Sequence, residues 1–230
     1  MKHFVIITGG GSGLRMGEEI PKQFLCLNGI PVIMHTINRF TEFAKTIIVT
    51  LPEQYFDYWE EIQHKYNFHI PHVLVAGGET RFHSVKNAVE HLSDTGLVAI
   101  HDAVRPFVSQ NLIKSCFECA EKYGTAVAAI PLKDSLRTVC NSKSKSIDRS
   151  NIFAVQTPQV FDCEIIKKSY KQAFNPIFTD DASVVEALGY DIQLVAGEEL
   201  NFKITTPTDL IIAEKYSKKY KRIENFKLDI

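Results

Sequence analysis

Two cations, Arg15 and Lys22, flank a glycine run, Gly9-Gly10-Gly11-Ser12-Gly13, that leaves the apolar stretch Phe4-Val5-Ile6-Ile7. A glycine-dense turn after a buried strand lets backbone N–H groups come close to a phosphate chain. Fixed positive charges beside such a turn suit phosphoryl-type transfer on a nucleotide. The run is not a P-loop, because no Gly-Lys-Ser/Thr closes it. It also lacks the dinucleotide fingerprint: reading from Gly9 or from Gly11, the third glycine is replaced by Leu14 or Met16. A glycine cluster by itself is an ordinary tight turn, and the cations are what point further.

Further residues that can do chemistry stand where other predicted strands end. His101-Asp102-Ala103-Val104-Arg105-Pro106 follows the apolar Leu97-Val98-Ala99-Ile100. A carboxylate there suits Mg²⁺, which takes one or two protein carboxylates together with substrate phosphates. The plainer reading of Asp102 is an N-cap or a salt bridge to Arg105. Gly77-Gly78-Glu79-Thr80-Arg81 leads into a helix that carries Ser84, with Thr80 as its N-cap. The glycine pair allows close approach of a flat base, and Ser84 could offer a hydroxyl to its edge. Thr157-Pro158-Gln159 follows a strand, and Thr179 opens a helix as cap or ligand. Lys203 stands just before a helix with Pro207 in its first turn.

The elements that must position these residues alternate. Strands are predicted at His3–Thr8, Thr46–Leu51, His72–Ala76, Leu97–His101, Ala126–Pro131, Phe153–Gln156 and Ile192–Ala196. Helices are predicted at about 31–43, 53–66, 80–92, 109–123, 162–174, 180–188 and 207–219. Strand–helix alternation with continuously apolar strands predicts an α/β fold with a parallel sheet covered on both faces. Ligands in such sheets bind beyond the strands' carboxyl ends. The polar segment 133–152 breaks the alternation. Leu136-Arg137-Thr138-Val139 alternates like a strand and Asn141-Ser142-Lys143-Ser144 reads as a turn, so a hairpin arm is predicted, one that would gain stability from a partner subunit.

Composition narrows the alternatives. The chain has 230 residues and is 45% hydrophobic, and no internal repeat or linker divides it. A formal charge of −1 favours neither nucleic acid nor a membrane surface, and no apolar run is long enough for a membrane span. Met1-Lys2-His3 runs into a strand without a cleavable leader pattern, so the cytoplasm is expected. Cys116 and Cys119 form a C-x-x-C inside a predicted helix with no companion pair, which reads as small buried side chains. The basic Lys215–Arg222 run reads as a solvated helix end.

In order along the chain, G-x-G-x-R-M, P-K-Q, G-G-x-x-R-x-x-S-V, H-D-A-x-R-P, D-R, T-P-Q, T-D-D-A-S and K-I-T-T-P-x-D-L span nearly its whole length. Together they closely resemble the 2-C-methyl-D-erythritol 4-phosphate cytidylyltransferases. The ribitol 5-phosphate cytidylyltransferases share most of these motifs and supply the alternative acceptor. The resemblance implies a single Rossmann-like nucleotidyltransferase domain over 1–230, a protruding β-arm at about 133–152 and a homodimer built through that arm. It also implies CTP and a polyol phosphate as substrates and Mg²⁺ as cofactor. By it, Arg15 and Lys22 match the pair that stabilises charge on the α-phosphate of CTP, and Arg149 and Lys203 match the pair that holds the acceptor. Gly9, Gly10, Gly11, Ser12 and Gly13 match the triphosphate cradle, and Gly78 and Ser84 match cytosine contacts. Asp102 matches the magnesium-side carboxylate, and Ala103 beside it belongs with the cofactor-binding residues. Arg105, Ser135, Thr157 and Thr179 match positions near the second substrate, Ser135 and Arg149 reaching the partner's site. The chain departs from the common pattern at Thr8-Gly9-Gly10, where many members have Pro-Ala-Ala, and at Ser135, where threonine is common.

Overall fold

The computed structural model describes residues 2–10, 20–93 and 95–226, with side chains as far as Lys218. Seven strands form one sheet: β1 (His3–Thr8), β4 (Thr46–Leu51), β5 (Val73–Ala76), β6 (Leu97–Asp102), β7 (Thr125–Pro131), β10 (Phe153–Asp162) and β11 (Leu194–Ala196). Their order across the sheet is β11-β7-β10-β6-β1-β4-β5. All neighbouring pairs are parallel except the two made by β10, which runs antiparallel to both β6 and β7. The mostly parallel α/β sheet expected from the alternation is what forms.

Strand side chains alternate between two cores. Val5, Ile7, Leu97, Ala99, Ala126 and Ala128 face one side, against α1 (Val32–Asn38), α2 (Phe56–Lys65) and α4 (Gln110–Tyr123). Phe4, Ile6, Val98, Ile100 and Val127 face the other, against α3 (Arg81–Val89), α5 (Cys163–Ser169) and α6 (Asp181–Glu186). Both faces of these strands bury apolar side chains, which is why their sequence reads as unbroken hydrophobic runs. A third cluster joins Leu27 and Val32 to Val104, Ile204 and Ala213, the last on α7 (Pro207–Phe226). Leu27 belongs to a two-stranded ribbon of β2 (Cys26–Leu27) and β3 (Ile30–Pro31).

Starting from β1, the chain builds β4 and β5 to one side and then returns to lay β6 on the other. This reversal opens a crevice between the carboxyl ends of β1 and β6, the place where open α/β sheets bind ligands. Gly9 continues β1 there, its N–H donating to the Thr50 carbonyl at 2.9 Å, and the Ala103 N–H donates to Thr8 O at 3.0 Å. A Cβ on Gly9 would lie 2.8 Å from Leu51 Cδ2 and 3.0 Å from Thr50 O, so a side chain there would require its neighbours to shift.

The hairpin arm forms as expected, from β8 (Leu136–Cys140) and β9 (Lys143–Ile147). Its turn is tighter than the four-residue reading: Asn141 and Ser142 alone turn the chain, both at positive φ (47° and 62°), while Lys143 and Ser144 pair in β9. Two left-handed residues suit the twist of a two-residue hairpin. The arm joins β7 to β10 and so makes the chain come back antiparallel. Boundaries differ from expectation, among them the end of the helix expected at 162–174, which stops at Ser169. Thr157-Pro158-Gln159 lies inside β10 and does not follow it, at a register shift between Val155 and Gln159. The helix placed at 31–43 ends at Asn38, because the chain tightens into i→i+3 bonds at Arg39, Phe40 and Phe43. Cys116 is buried in α4, as its plain reading required, with burial pushing its thiol up to about 12.

Ser109 caps α4 by accepting from the Leu112 N–H, and Gly124 ends it at φ +82° with its N–H on Ala120 O at 2.7 Å. A Cβ at Gly124 would be in the left-handed region and 2.9 Å from Ile165 Cδ1. Gly124→Ala is expected to destabilise the protein by about 1–2 kcal/mol. Urea unfolding should show a lower midpoint with an unchanged slope.

Candidate active site

Asp102, the last residue of β6, organises the crevice. Lys203 Nζ lies 3.0 Å and Arg105 Nε 3.2 Å from its Oδ2, and Arg81 Nε lies 3.4 Å from its Oδ1. Burial pushes the carboxyl up, but Arg81, Lys203 and Arg105 together outweigh it and hold Asp102 well below the usual carboxylate range. The salt bridge to Arg105 that the plain reading offered is present, as one of three.

Each cation arrives from a different element. Arg81 opens α3, and its NH1 and NH2 donate to both oxygens of Asp181 at 2.8 and 2.7 Å. Burial would lower the Arg81 pKa, yet Asp181 and Asp102 raise it on balance, so it stays charged. Arg105 lies in the turn after β6, and its NH1 donates to the Asn201 carbonyl at 2.7 Å. Lys203 follows that asparagine, whose Nδ2 donates to Thr157 O at 2.7 Å. Ile204 anchors the loop through its N–H on Val104 O and its buried side chain. Lys22 begins a 3-10 turn after Pro21, and the next residue, Gln23, donates through Nε2 to Gly9 O at 2.7 Å. That bond ties the P-K-Q turn to the glycine loop.

Behind Asp102 lies a neutral chain of hydrogen bonds. Its own N–H donates to Thr157 Oγ1 at 3.1 Å, and that hydroxyl stands 3.0 Å from His101 Nδ1. His101 Nε2 lies 3.1 Å from the Arg105 carbonyl, which can only accept, so the proton sits on Nε2 and Nδ1 accepts from Thr157. His101 is buried, and burial lowers its pKa to about 4.

Two adjoining clefts meet at this cluster. The first, of about 350 Å³, brings together Gly9, Gly10, Lys22, Ser84, Asp102, Ala103 and Lys203. The second, of about 250 Å³, brings Arg105, Thr157 and Thr179 to Asp102 and Lys203. Gly78 lines neither cleft but touches Ser84, its N–H donating to Ser84 Oγ at 3.0 Å, while the Ser84 hydroxyl donates to Thr80 O at 3.0 Å. A Cβ at Gly78 would run into His83. Ser84 therefore braces the start of α3 and keeps one lone pair for a ligand. Thr157 is committed in the same way, to Asp102 and His101. Thr179 is exposed and is not the cap expected of it. Asp180 caps α6 in a capping box with Ser183, because its side chain reaches the Ser183 N–H at 2.9 Å.

Ser135 and Arg149 are exposed, at the base of the arm, and line neither cleft of their own chain. Gly11, Ser12, Gly13 and Arg15 lie outside the described residues. Residues the sequence reading missed are Arg81, Asp181, Gln156 and Asn201. Arg81 and Asp181 both stand inside quoted motifs, G-G-x-x-R and T-D-D-A-S, but their pairing across 100 positions is not written in either.

Among the described residues no group of three or more His, Cys, Asp or Glu could hold a metal ion alone. Among the described residues Asp102 Oδ1 meets Arg81 Nε and Thr8 Oγ1, both at a long 3.4 Å, and Asp102 lines both clefts. The donor set fits a magnesium carried mainly by substrate phosphates, with one protein carboxylate.

Comparison with known proteins agrees with the geometry. The profile of the family described as IspD: 2-C-methyl-D-erythritol 4-phosphate cytidylyltransferase matches residues 3–219. The 2-C-methyl-D-erythritol 4-phosphate cytidylyltransferase of Bacteroides thetaiotaomicron is 45% identical over 214 residues, covering 92% of this chain and 98% of that protein. The protein of the same name from Bacteroides fragilis is 47% identical over 210 residues, covering 90% of this chain and 96% of its own length. The crystal structure of that enzyme from Thermus thermophilus superposes with a TM-score of 0.76 at 31% identity, covering 95% of this chain and 100% of the other.

The buried His101 gives the site a signature in acid. Its pKa falls from 6.5 to about 4 on folding, so between those values the unfolded chain binds a proton that the folded chain refuses. Stability is therefore expected to fall as pH drops through this window, by ~3 kcal/mol from this group at its lower end. Urea titrations at stepped pH should show this slope, and His101→Gln should lack it.

Proposed function

Because this chain belongs to the 2-C-methyl-D-erythritol 4-phosphate cytidylyltransferase family, we propose that its two clefts hold the two substrates of that reaction, CTP in the first and the acceptor in the second. The reaction transfers CMP from CTP to 2-C-methyl-D-erythritol 4-phosphate and yields 4-diphosphocytidyl-2-C-methyl-D-erythritol and pyrophosphate. The observation that carries the placement is the junction: Asp102 and Lys203 line both clefts, so the reacting groups meet beside them.

The chemistry follows from charge. Both substrates are polyanions, and bringing them together in a partly dry crevice is strongly repulsive without counter-charge. The acceptor phosphate is already anionic, so its oxygen attacks the α-phosphorus without a general base. Negative charge then builds on the α-phosphate oxygens, where Lys22 of the first cleft, and Arg15 by family resemblance, stabilise it. Lys203 holds the acceptor phosphate at the junction. Pyrophosphate departs as the new P–O bond forms. Positioning and preorganised charge account for the catalysis, as in other phosphoryl chemistry. Asp102 would hold magnesium, which when bound neutralises charge on the CTP phosphates.

Arg149 and Ser135 complete the proposal. Both are exposed beside the arm and away from their own chain's clefts, which supports a homodimer in which each arm serves the partner's acceptor site. Arm, sheet and helices then act as one nucleotidyltransferase domain. A cytoplasmic location belongs to the same reading: all five cysteines are free, which suits a reducing compartment.

Pyrophosphate release with CTP and either methylerythritol phosphate or ribitol 5-phosphate tests the acceptor; turnover only with ribitol 5-phosphate would overturn the reading. Lys22→Ala is expected to lower turnover roughly 10²–10³-fold at saturating CTP. Arg149→Lys loses the two-pronged fit to phosphate. It should raise KM for the acceptor far more than KM for CTP, and an equal rise in both would remove Arg149 from this role.

A further inference from the structure

Arg81 stands between the two clefts, lines both, and is bound at two ends. One end is the paired contact with Asp181, whose side chain is fully buried, and the other is the 3.4 Å contact with Asp102 Oδ1. Asp181 is held in turn by the Tyr170 hydroxyl, which donates to its Oδ1 at 2.6 Å. The same helix start is tied to β10 by Gln159, which donates to Asp180 Oδ2 and accepts from the Ala182 N–H, both at 2.8 Å. Three segments distant in sequence therefore share one guanidinium: the first turn of α3, the end of β6 and the start of α6.

We propose that Arg81 is a positioning residue for the transfer reaction, bracing Asp102 and the Thr179–Asp181 segment in the register that seats the acceptor. The inference rests on the substrate placement given above. Among the described residues, the Arg81 guanidinium donates to Asp102, at the junction, and to Asp181, next to the Thr179–Asp180 wall of the second cleft. Its charge is matched by Asp181 and Asp102, so its contribution is geometric. Lysine keeps the charge at this position but cannot reproduce a planar fork that grips a carboxylate at both oxygens while a third N–H reaches Asp102.

The test is steady-state pyrophosphate release with CTP and methylerythritol phosphate, with thermal unfolding followed by circular dichroism as the check on folding. Wild-type turnover of this substrate pair tests the activity on which the placement rests, separately from the role of Arg81. In folded Arg81→Lys, kcat should fall about 10-fold and KM for the acceptor should rise about 10-fold, with KM for CTP within about 3-fold of wild type. Asp181→Asn leaves Arg81 in place but slackens its anchor, and it should shift the same two parameters in the same direction. The double variant should be no worse than the worse single one, since both remove one brace. Wild-type kcat and acceptor KM in either folded variant would overturn the proposal. So would an equal rise in both KM values, which is what general loosening of the fold produces.

Discussion

The site depends on one buried carboxylate, Asp102, which three cations hold among the described residues. Asp102 at the end of β6 would be costly to bury alone. Arg81, Arg105 and Lys203 reverse that cost and keep it ionised. Each cation comes from a separate element, so the cluster also closes the tertiary structure at this rim. Three cations meet one carboxylate at the junction, and counting Asp181 as well still leaves one cation over. Cations gathered at the point where the two clefts meet suit two negatively charged reactants.

Sheet topology explains where that cluster stands. The chain reverses direction of growth between β1 and β6, and the gap left at their carboxyl ends is bounded by backbone rather than side chains at Gly9 and Gly10. The antiparallel return of β10 then brings Gln156 and Thr157 to the far side of Asp102, where a further parallel strand would have pointed its carboxyl end instead. The arm between β7 and β10 makes that return necessary. It places Arg149 and Ser135 outside their own chain's clefts, so arm, topology and the proposed assembly are linked.

The hydrogen-bond chain from Asp102 through Thr157 to His101 shows a different use of polar residues in the same place. Thr157 and His101 are neutral and spend most of their donors and acceptors on each other and on the backbone. They set the backbone on which the charges are mounted. Ser84 behaves likewise at the start of α3. Hydroxyls that read from sequence as ligands serve at least as much to hold the ligand-binding backbone still.

Much of this was legible from residues in order. The alternation of apolar runs with helical patterns determined the α/β class, because both faces of a covered parallel sheet must be hydrophobic. Glycines after β1, and Asp102 after an apolar run, located the rim, because strand ends are where ligands bind. Motif order identified the family and about half of the described residues that line the two clefts. Other features needed the folded chain. The Arg81–Asp181 pair joins residues 100 positions apart, and nothing local distinguishes it from two surface charges. The direction of β10, the cap at Asp180 in place of Thr179, and the neutral state of His101 likewise depend on neighbours brought from elsewhere. Sequence determines which groups are present and how each segment prefers to fold. Only tertiary structure decides which charges are buried together, because that depends on distances across the sheet that no local pattern encodes.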